Sequence, residues 1–203
     1  MNIPEGYLNG EIRDGFYVES TMKKAWAAEI EVLNEVDRIC RQYDIQYFAD
    51  WGTLLGTIRH KGFVPWDDDM DITMKREDYT RFCQIVQQEQ GNLEIINFHT
   101  DPEWKDMLSR VINGRNVNYT QEHLKKYHGF PYVAGLDIFP LDYVAPTEDE
   151  DEIHCSMISI VEAFSANIRN NTATPEEIEQ TTKDIEQMCG VKFNNLEPLA
   201  TQL

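Results

Sequence analysis

The run PWDDDMDITM, residues 65–74, constrains the fold of this chain more than any other feature. It places four aspartates within five positions of an otherwise apolar segment: Asp67, Asp68, Asp69 and Asp71. Like charges this close repel one another, by an energy that grows as the distance and the dielectric constant fall. Water or a bound cation must therefore compensate these four carboxylates.

The end of this run alternates in the way that a β-strand does. Every second side chain of a strand points to the same face, so Asp69 and Asp71 are predicted to project together. Two converging carboxylates suit a hard cation with oxygen ligands, Mg²⁺ or Mn²⁺. Because Mg²⁺ usually completes its octahedron with water and substrate phosphates, the spacing indicates phosphate chemistry.

The acidic run also allows two other interpretations, a surface loop and a calcium-binding loop. An acidic surface loop has a similar composition, although these aspartates lie between Trp66 and Ile72 and lead directly into an apolar strand. A calcium loop of the EF-hand type is the second alternative. Its spacing fails, because no glycine occupies its sixth position and no glutamate its twelfth.

Four residues upstream of the run are candidates for binding phosphate. Gly52 and Thr53 follow a predicted strand and open a predicted helix, whose N-terminus offers free N–H groups to a phosphate. Arg59 can bind a phosphate with two parallel hydrogen bonds, and Lys61 can act as a point charge. The alternative for these two cations is that they offset the dipole at the C-terminus of the helix.

A third carboxylate, on a neighbouring strand, is expected for phosphoryl transfer, because the attacking hydroxyl needs a base. Asp137 is the candidate, since it lies between Leu136 and Ile138 in an apolar predicted strand. An unpaired charge would be costly there. The structural alternative is that Asp137 caps a backbone group or pairs with an arginine.

Strand and helix patterns alternate along the chain and predict an α/β (α+β) fold, with a mixed sheet flanked by helices. The predicted elements are a helix over residues 21–43, a strand in IQYFADW, a short helix from Gly52, a strand in DMDITM, a helix from Arg76 to the Gly91–Asn92 pair, and strands in LEIINF and YVAGLDIF, the last ended by Pro140. The segment 100–131 fits helix and strand equally well.

The sequence pattern changes after Pro146, where two segments with helical spacing of apolar residues follow. Thr174 is predicted to cap the second of them, with Glu177 completing a capping box and Gly190 ending the helix. We therefore predict a catalytic core over residues 1–145 and an acidic helical extension over residues 146–203.

Charge and composition restrict the partners of this protein. The net charge is −18, and the extension contributes half of it, with 12 acidic and 3 basic residues. Such a charge disfavours a nucleic-acid partner, which needs stripes of Lys and Arg. The sequence has neither a membrane-spanning apolar run nor the layout of a signal peptide, so we expect a cytoplasmic protein without a transmembrane segment.

The motifs together resemble a known family. The Gly-Thr turn, the D-x-D strand and the distant third aspartate look like a nucleotidyltransferase fold. The longer runs GTLLGTIRHKGFVPWDDDMDI and GLDIFPLD are similar to those of the LicD/fukutin-like phosphotransferase family, over roughly residues 47–142. The family's acidic residues correspond to Asp67, Asp69 and Asp71 here, with Asp137 as the third-strand carboxylate.

The resemblance implies a metal-dependent phosphocholine transferase. Such an enzyme moves phosphocholine or a similar head group from CDP-choline or another CDP-linked donor to a sugar hydroxyl. The acceptor would be a cell-surface glycan or glycolipid (teichoic acid, lipopolysaccharide or capsule), which brings transient contact with a membrane-bound acceptor. The implied metal ligands are Asp67, Asp69, Asp71 and Asp137, and the last three are also the implied catalytic residues.

One departure from the family keeps two alternatives open. Members usually continue into a Tyr/Pro-rich C-terminal segment, which is expected to be missing here. A binding module for CDP-alcohols or nucleotides without turnover, and a nucleotidyltransferase that releases pyrophosphate, are therefore retained. The head group also stays open, since Trp51, Trp66 and Trp104 could offer aromatic faces to a quaternary ammonium but are more typical of a core.

Overall fold

The computed structural model describes residues 1–89, 91, 93–101, 103–104 and 106–193. These residues divide into two compact units, one over Met1–Asp142 and one from Tyr143 onward. None of the described helices is both long enough and apolar enough to span a lipid bilayer.

The first unit begins with a β-hairpin that the sequence reading did not include. Strands β1 (Glu11–Arg13) and β2 (Phe16–Val18) pair antiparallel. The two residues between them, Asp14 and Gly15, have φ angles of 49° and 80°. An Asp-Gly pair with positive φ at both residues is the preferred two-residue hairpin turn, because its twist matches that of the strands. This dipeptide was the available signal.

A mixed five-stranded sheet forms the centre of the first unit. Its strands are β3 (Phe48–Ala49), β4 (Asp71–Lys75), β5 (Glu94–Ile96), β6 (Ser109–Ile112) and β7 (Gly135–Leu141). The order across the sheet is β3-β4-β7-β6-β5. Only β4 and β7 pair in parallel; the other pairs are antiparallel. The predicted fold class, a mixed sheet with flanking helices, is confirmed.

Four helices belong to the described part of the first unit, and the first and third of them bury apolar side chains against the sheet. They are α1 (Ser20–Tyr43), α2 (Trp51–Arg59), α3 (Arg76–Gln88) and α4 (Gln121–Lys126). Val32 and Val36 of α1 are fully buried in one cluster with Ile72 and Ile138 of the two parallel strands. Phe82 of α3 belongs to the same cluster. The amphipathic helix predicted over residues 21–43 therefore forms one wall of the core.

Strand β4 starts at Asp71 and not, as predicted, at Asp69. The backbone N–H of Asp137 donates to the Met70 carbonyl (2.9 Å), and the N–H of Asp71 donates to Oγ1 of Thr53 (2.7 Å). A side chain thus takes the place of a neighbouring strand as the acceptor of the Asp71 N–H, while Asp71 still pairs with Asp137 of β7. Asp69 consequently lies in the loop that enters the strand.

Pro140 does not end β7, contrary to the prediction. The strand continues to Leu141, and Pro140 pairs with Met74 in the parallel register. Proline is tolerated in a strand where its missing N–H removes no ladder bond. Strand β6 pairs with β7 only from Gly135 to Ile138, so one side of β7 is open at Pro140.

Two other boundaries differ from or refine the predictions. Helix α3 ends at Gln88, before the predicted Gly91–Asn92 stop, and Asn92 lies outside the described residues. The ambiguous segment 100–131 contains both a strand, β6, and a short helix, α4.

The second unit contains two capped helices, α5 (Glu148–Arg169) and α6 (Pro175–Cys189). The Thr174 hydroxyl accepts from the Glu177 N–H, and the Glu177 side chain accepts in return from the Thr174 backbone. Gly190 follows with a φ of 66°. The predicted capping box and glycine stop are confirmed.

Candidate active site and metal centre

The acidic loop, residues 67–69, brings three carboxylates together just before β4. One carboxylate oxygen from each residue lies within 4.8 Å of the others. The indole Nε1 of Trp26 on α1 donates to the Asp67 carbonyl (2.9 Å) and fastens the loop to the core. An all-oxygen set of this kind suits Mg²⁺ or Mn²⁺. The set includes Asp68, which the sequence reading did not assign as a ligand.

Asp71 and Asp137 face each other on the two parallel strands. They are register partners on β4 and β7, and both are buried. Burial, followed by the nearby charges of Asp69 and Asp137, raises the pKa of Asp71 to about 6. Burial and the charge of Asp67 likewise raise the pKa of Asp69. Negative charge is therefore concentrated where the sequence places the metal ligands.

Asp137 is paired with an arginine, as its structural alternative proposed. Nε of Arg110 on β6 donates to Oδ1 of Asp137 (2.5 Å), and Nη2 donates to Oδ2 (2.6 Å). The antiparallel register puts the two residues directly opposite each other. This two-pronged contact compensates the buried charge. The roles predicted for Asp137, metal ligand and base, stay predictions.

A cavity of about 730 Å³ opens beside the acidic loop and is called the large cavity below. Five predicted site residues line it: Gly52, Thr53, Lys61, Asp67 and Asp69. Arg59 is not among its lining residues.

Arg59 instead contacts its neighbour in the chain. Its Nε donates to Nε2 of His60 (2.8 Å). Nδ1 of His60 then donates to Asp14 in the hairpin turn (2.6 Å). Arg59 is thus connected through His60 to Asp14 in the hairpin turn. The predicted contact of Arg59 with phosphate stays a prediction.

Two cations of the N-terminal region also line the large cavity, and the sequence reading missed both. Lys23 is 3% exposed, with its Nζ 2.5 Å from Oε1 of Glu11 and 4.0 Å from the ring centre of Tyr7. Arg13 donates from Nη2 to the His60 carbonyl (3.0 Å). The cavity therefore presents three cations, Arg13, Lys23 and Lys61, together with four carboxylates, of which two belong to the acidic loop.

Comparison with known proteins identifies the family. The sequence model of the LicD/FKTN/FKRP nucleotidyltransferase domain matches residues 44–197. The chain belongs to this family. The predicted family resemblance is thereby confirmed, and the match extends beyond the core into the helical region.

Individual relatives match over shorter stretches. The lipopolysaccharide cholinephosphotransferase LicD of Haemophilus influenzae is 42% identical over 69 residues, which is 34% of this chain and 26% of that protein. Uncharacterized proteins of Rickettsia typhi and Rickettsia prowazekii are 38% and 36% identical over 58 residues, 29% of this chain. These matches span 19% and 22% of the two proteins. The alignments thus cover about a quarter or less of each relative.

Gly52 has a steric role in this LicD-family chain. A Cβ at this position would collide with Oδ2 of Asp67. Glycine at the start of α2 therefore allows the acidic loop to pass directly over the helix. The sequence reading selected Gly52 for contact with phosphate, whereas the structure brings it against a metal-ligand candidate.

Glu29 is a further acidic residue that the sequence reading missed. It lies on α1 and is 6% exposed, and its Oε2 has no hydrogen-bond partner within the described part of the chain. Burial, followed by the charges of Asp69 and Asp68, raises the pKa of Glu29 to about 9. Its position three residues after Trp26, on the apolar stripe of the helix, was the available signal.

Proposed function

We propose that this LicD-family chain is a metal-dependent phosphotransferase. It moves a phosphorylated head group, phosphocholine or a similar group, from a CDP-linked donor such as CDP-choline to a sugar hydroxyl. The acceptor is a cell-surface glycan or glycolipid: lipopolysaccharide, teichoic acid or capsule. The similarity to the lipopolysaccharide cholinephosphotransferase of Haemophilus influenzae supports this head group and a lipopolysaccharide acceptor.

One observation carries the proposal: a single cavity offers both carboxylates and cations. Asp67 and Asp69 line the same 730 Å³ space as Arg13, Lys23 and Lys61. Carboxylates alone would repel a diphosphate, and cations alone would need no acidic loop. Both together are what a diphosphate and its divalent ion require.

The acidic loop would hold Mg²⁺ or Mn²⁺ in this proposal, and Asp71 beside it would stay free to act as the base. The fit is physical, because one oxygen of each of the three loop carboxylates lies within 4.8 Å of the others and burial raises the pKa of Asp69. A divalent ion bound there would neutralise charge on the diphosphate and on the departing CMP. Lys61, and Lys23 on exchanging Glu11 for a phosphate, would bind phosphate oxygens in the same cavity.

The transfer exchanges one phosphorus–oxygen bond for another. The acceptor hydroxyl oxygen bonds to the phosphorus of the head group, and the bond to CMP breaks, with CMP retaining the electron pair. Asp71 accepts the hydroxyl proton at a carboxylate oxygen, because a pKa near 6 makes it a better base than an ordinary aspartate. Arg110 engages both oxygens of Asp137 and compensates its charge, so this proposal gives the role of base to Asp71.

The proposal is tested by measuring CMP released from CDP-choline with Mg²⁺ and a glycan acceptor. Asp71→Asn keeps the size of the side chain and removes its charge, so we expect a loss of about 10²–10⁴-fold in rate. Asp37→Asn is the control, since Asp37 pairs with Arg41 on α1 and does not line the large cavity. Magnesium-dependent release at the wild-type rate in Asp71→Asn would refute this role.

The same assay separates the alternatives and tests Asp137. Tight binding of CDP-choline without CMP from any acceptor would identify a binding module. Release of pyrophosphate from a nucleoside triphosphate would identify a nucleotidyltransferase. A larger loss in Asp137→Asn than in Asp71→Asn would restore Asp137 as the base.

A further inference from the structure

A second concavity of about 640 Å³ lies beside α1 and is called the aromatic groove below. Four aromatic residues line it: Phe16, Tyr17, Phe130 and Tyr132. Three acidic residues line it as well: Glu19, Glu29 and Asp68. No lysine, arginine or histidine is among the residues that line it in the described part of the chain. The groove therefore combines aromatic faces with negative charge alone.

Three of the four rings in the groove, those of Phe16, Tyr17 and Tyr132, are exposed to a ligand, and Phe130 is buried behind them. Phe130 and Tyr132 pack edge to face, with ring centroids 5.4 Å apart at 67°. Tyr132 is 48% exposed and Tyr17 60% exposed. The face of an aromatic ring carries partial negative charge and attracts cations, most strongly when the cation sheds its water. Quaternary ammonium groups shed water readily because they donate no hydrogen bonds.

The charge of the groove favours the same kind of ligand. Glu29 lines the groove, and its Oε2 has no partner among the residues that the structure describes, although Glu29 is more than nine-tenths buried. A buried carboxyl oxygen without a partner is costly in an empty site. A cation would compensate the charge of Asp68 and favour the ionised form of Glu29, whereas a neutral sugar would do neither.

The groove and the large cavity meet at the acidic loop. Asp68 lines the groove, while its neighbours Asp67 and Asp69 line the large cavity. A donor with its diphosphate in the cavity can therefore extend its head group past the loop into the groove. Trp51 and Trp66, which the sequence analysis named as possible aromatic faces for a quaternary ammonium, line neither the groove nor the large cavity.

We propose that the aromatic groove binds the trimethylammonium group of the donor and sets a preference for choline over uncharged alcohols. This inference rests on the proposed function for the position of the diphosphate. The groove itself can be tested without turnover.

The first experiment measures binding of choline chloride to the full chain by saturation-transfer NMR. The comparison ligand is 3,3-dimethylbutan-1-ol, which has the same shape without the charge. We expect transfer to the choline methyl protons, and less of it in Tyr132→Leu. Tyr132→Phe, which keeps the ring, should bind as the wild type does. Equal signals from both ligands, or none from choline, would overturn the proposal.

The second experiment compares CDP-choline with CDP-3,3-dimethylbutanol by calorimetry in the presence of Mg²⁺. We expect about a tenfold preference for CDP-choline, as cation–π contacts of this kind provide. Tyr132→Leu should abolish the preference and Tyr132→Phe should retain it. Glu19→Gln should reduce it.

The outcomes distinguish the two proposals. If CMP is released but Tyr132→Leu weakens both donors equally, the groove does not read the head group and this inference is wrong. If Tyr132→Leu raises only the KM for the acceptor, the groove binds the acceptor and the inference is also wrong. If no donor is turned over while choline still binds at Tyr132, the proposed function fails and the groove stands.

Discussion

At the scale of single residues, the site holds carboxyl groups so close together that their negative charges repel one another. Burial and the charges of neighbouring carboxylates raise the pKa of Glu29, Asp69 and Asp71. Stability is not the reason for such an arrangement, since each charge disfavours the next. A cation that enters the site relieves the repulsion, which connects these residues to ligand binding.

Glu29→Gln tests the burial of this carboxyl through pH. The pKa of Glu29 is raised to about 9 in the folded chain, so the folded state retains a proton that the unfolded state loses near pH 4.5. Stability of the wild type should therefore fall as pH rises from about 5 to 9, because ionisation is disfavoured only in the folded state. Glutamine does not titrate. In the metal-free protein we expect Glu29→Gln to match the wild type near pH 5 and to melt at increasingly higher temperature than it towards pH 9. A constant difference in calorimetric Tm would contradict this.

Gly52→Ala tests the close approach of α2 to the acidic loop. The new methyl group would displace the end of the Asp67 side chain and leave the backbone in place. We expect a nearly unchanged Tm and at least tenfold weaker Mg²⁺ binding by calorimetry. Gly91→Ala is the matched control, because a Cβ there meets no atom within 4 Å. Wild-type Mg²⁺ affinity in Gly52→Ala would remove Asp67 from the metal site.

At the scale of elements, the site depends on how α2 is tied to β4. Oγ1 of Thr53 accepts the Asp71 N–H, and Gly56 packs so closely on the loop before β4 that a Cβ would collide with the Gly62 carbonyl. The helix therefore sets the start of the strand and the position of its first carboxylate.

Thr53→Val tests this tie between α2 and β4. Valine has the shape of threonine without the hydroxyl, so the N–H of Asp71 loses its acceptor. We expect a loss of about 1–3 kcal/mol in the free energy of unfolding, measured with urea. Thr53→Ser retains the hydroxyl and should lose less. If the two variants were equally stable, the hydrogen bond would contribute nothing.

At the scale of the whole molecule, net charge and the acidic site predict a response to divalent ions. A ligand that binds only the folded state stabilises it by RT ln(1 + [L]/Kd), or about 2.7 kcal/mol at a hundred times Kd. We expect Mg²⁺ to raise the Tm, EDTA to reverse the rise, and Asp69→Asn to abolish it. NaCl at matched ionic strength separates site binding from screening of the −18 net charge. An equal rise with NaCl would argue against a metal site.

Local patterns in the sequence determined the elements and the family. The apolar stripe of α1, the capping box at Thr174 and the acidic run each involve residues within a few positions of one another, where periodicity and capping rules apply. The same runs identified the LicD family, whose domain matches residues 44–197. The hairpin at Asp14-Gly15 was readable by the same rules.

Only the tertiary structure decided which distant side chains meet. Arg110 reaches Asp137 because β6 and β7 pair in one particular register, and a shift by one residue would turn Arg110 to the other face. Lys23 joins the large cavity, and Glu29 joins the aromatic groove, through the packing of α1 on the acidic loop. Charges of this kind are compensated across long separations in sequence, and a pattern of neighbouring residues carries no information about such contacts.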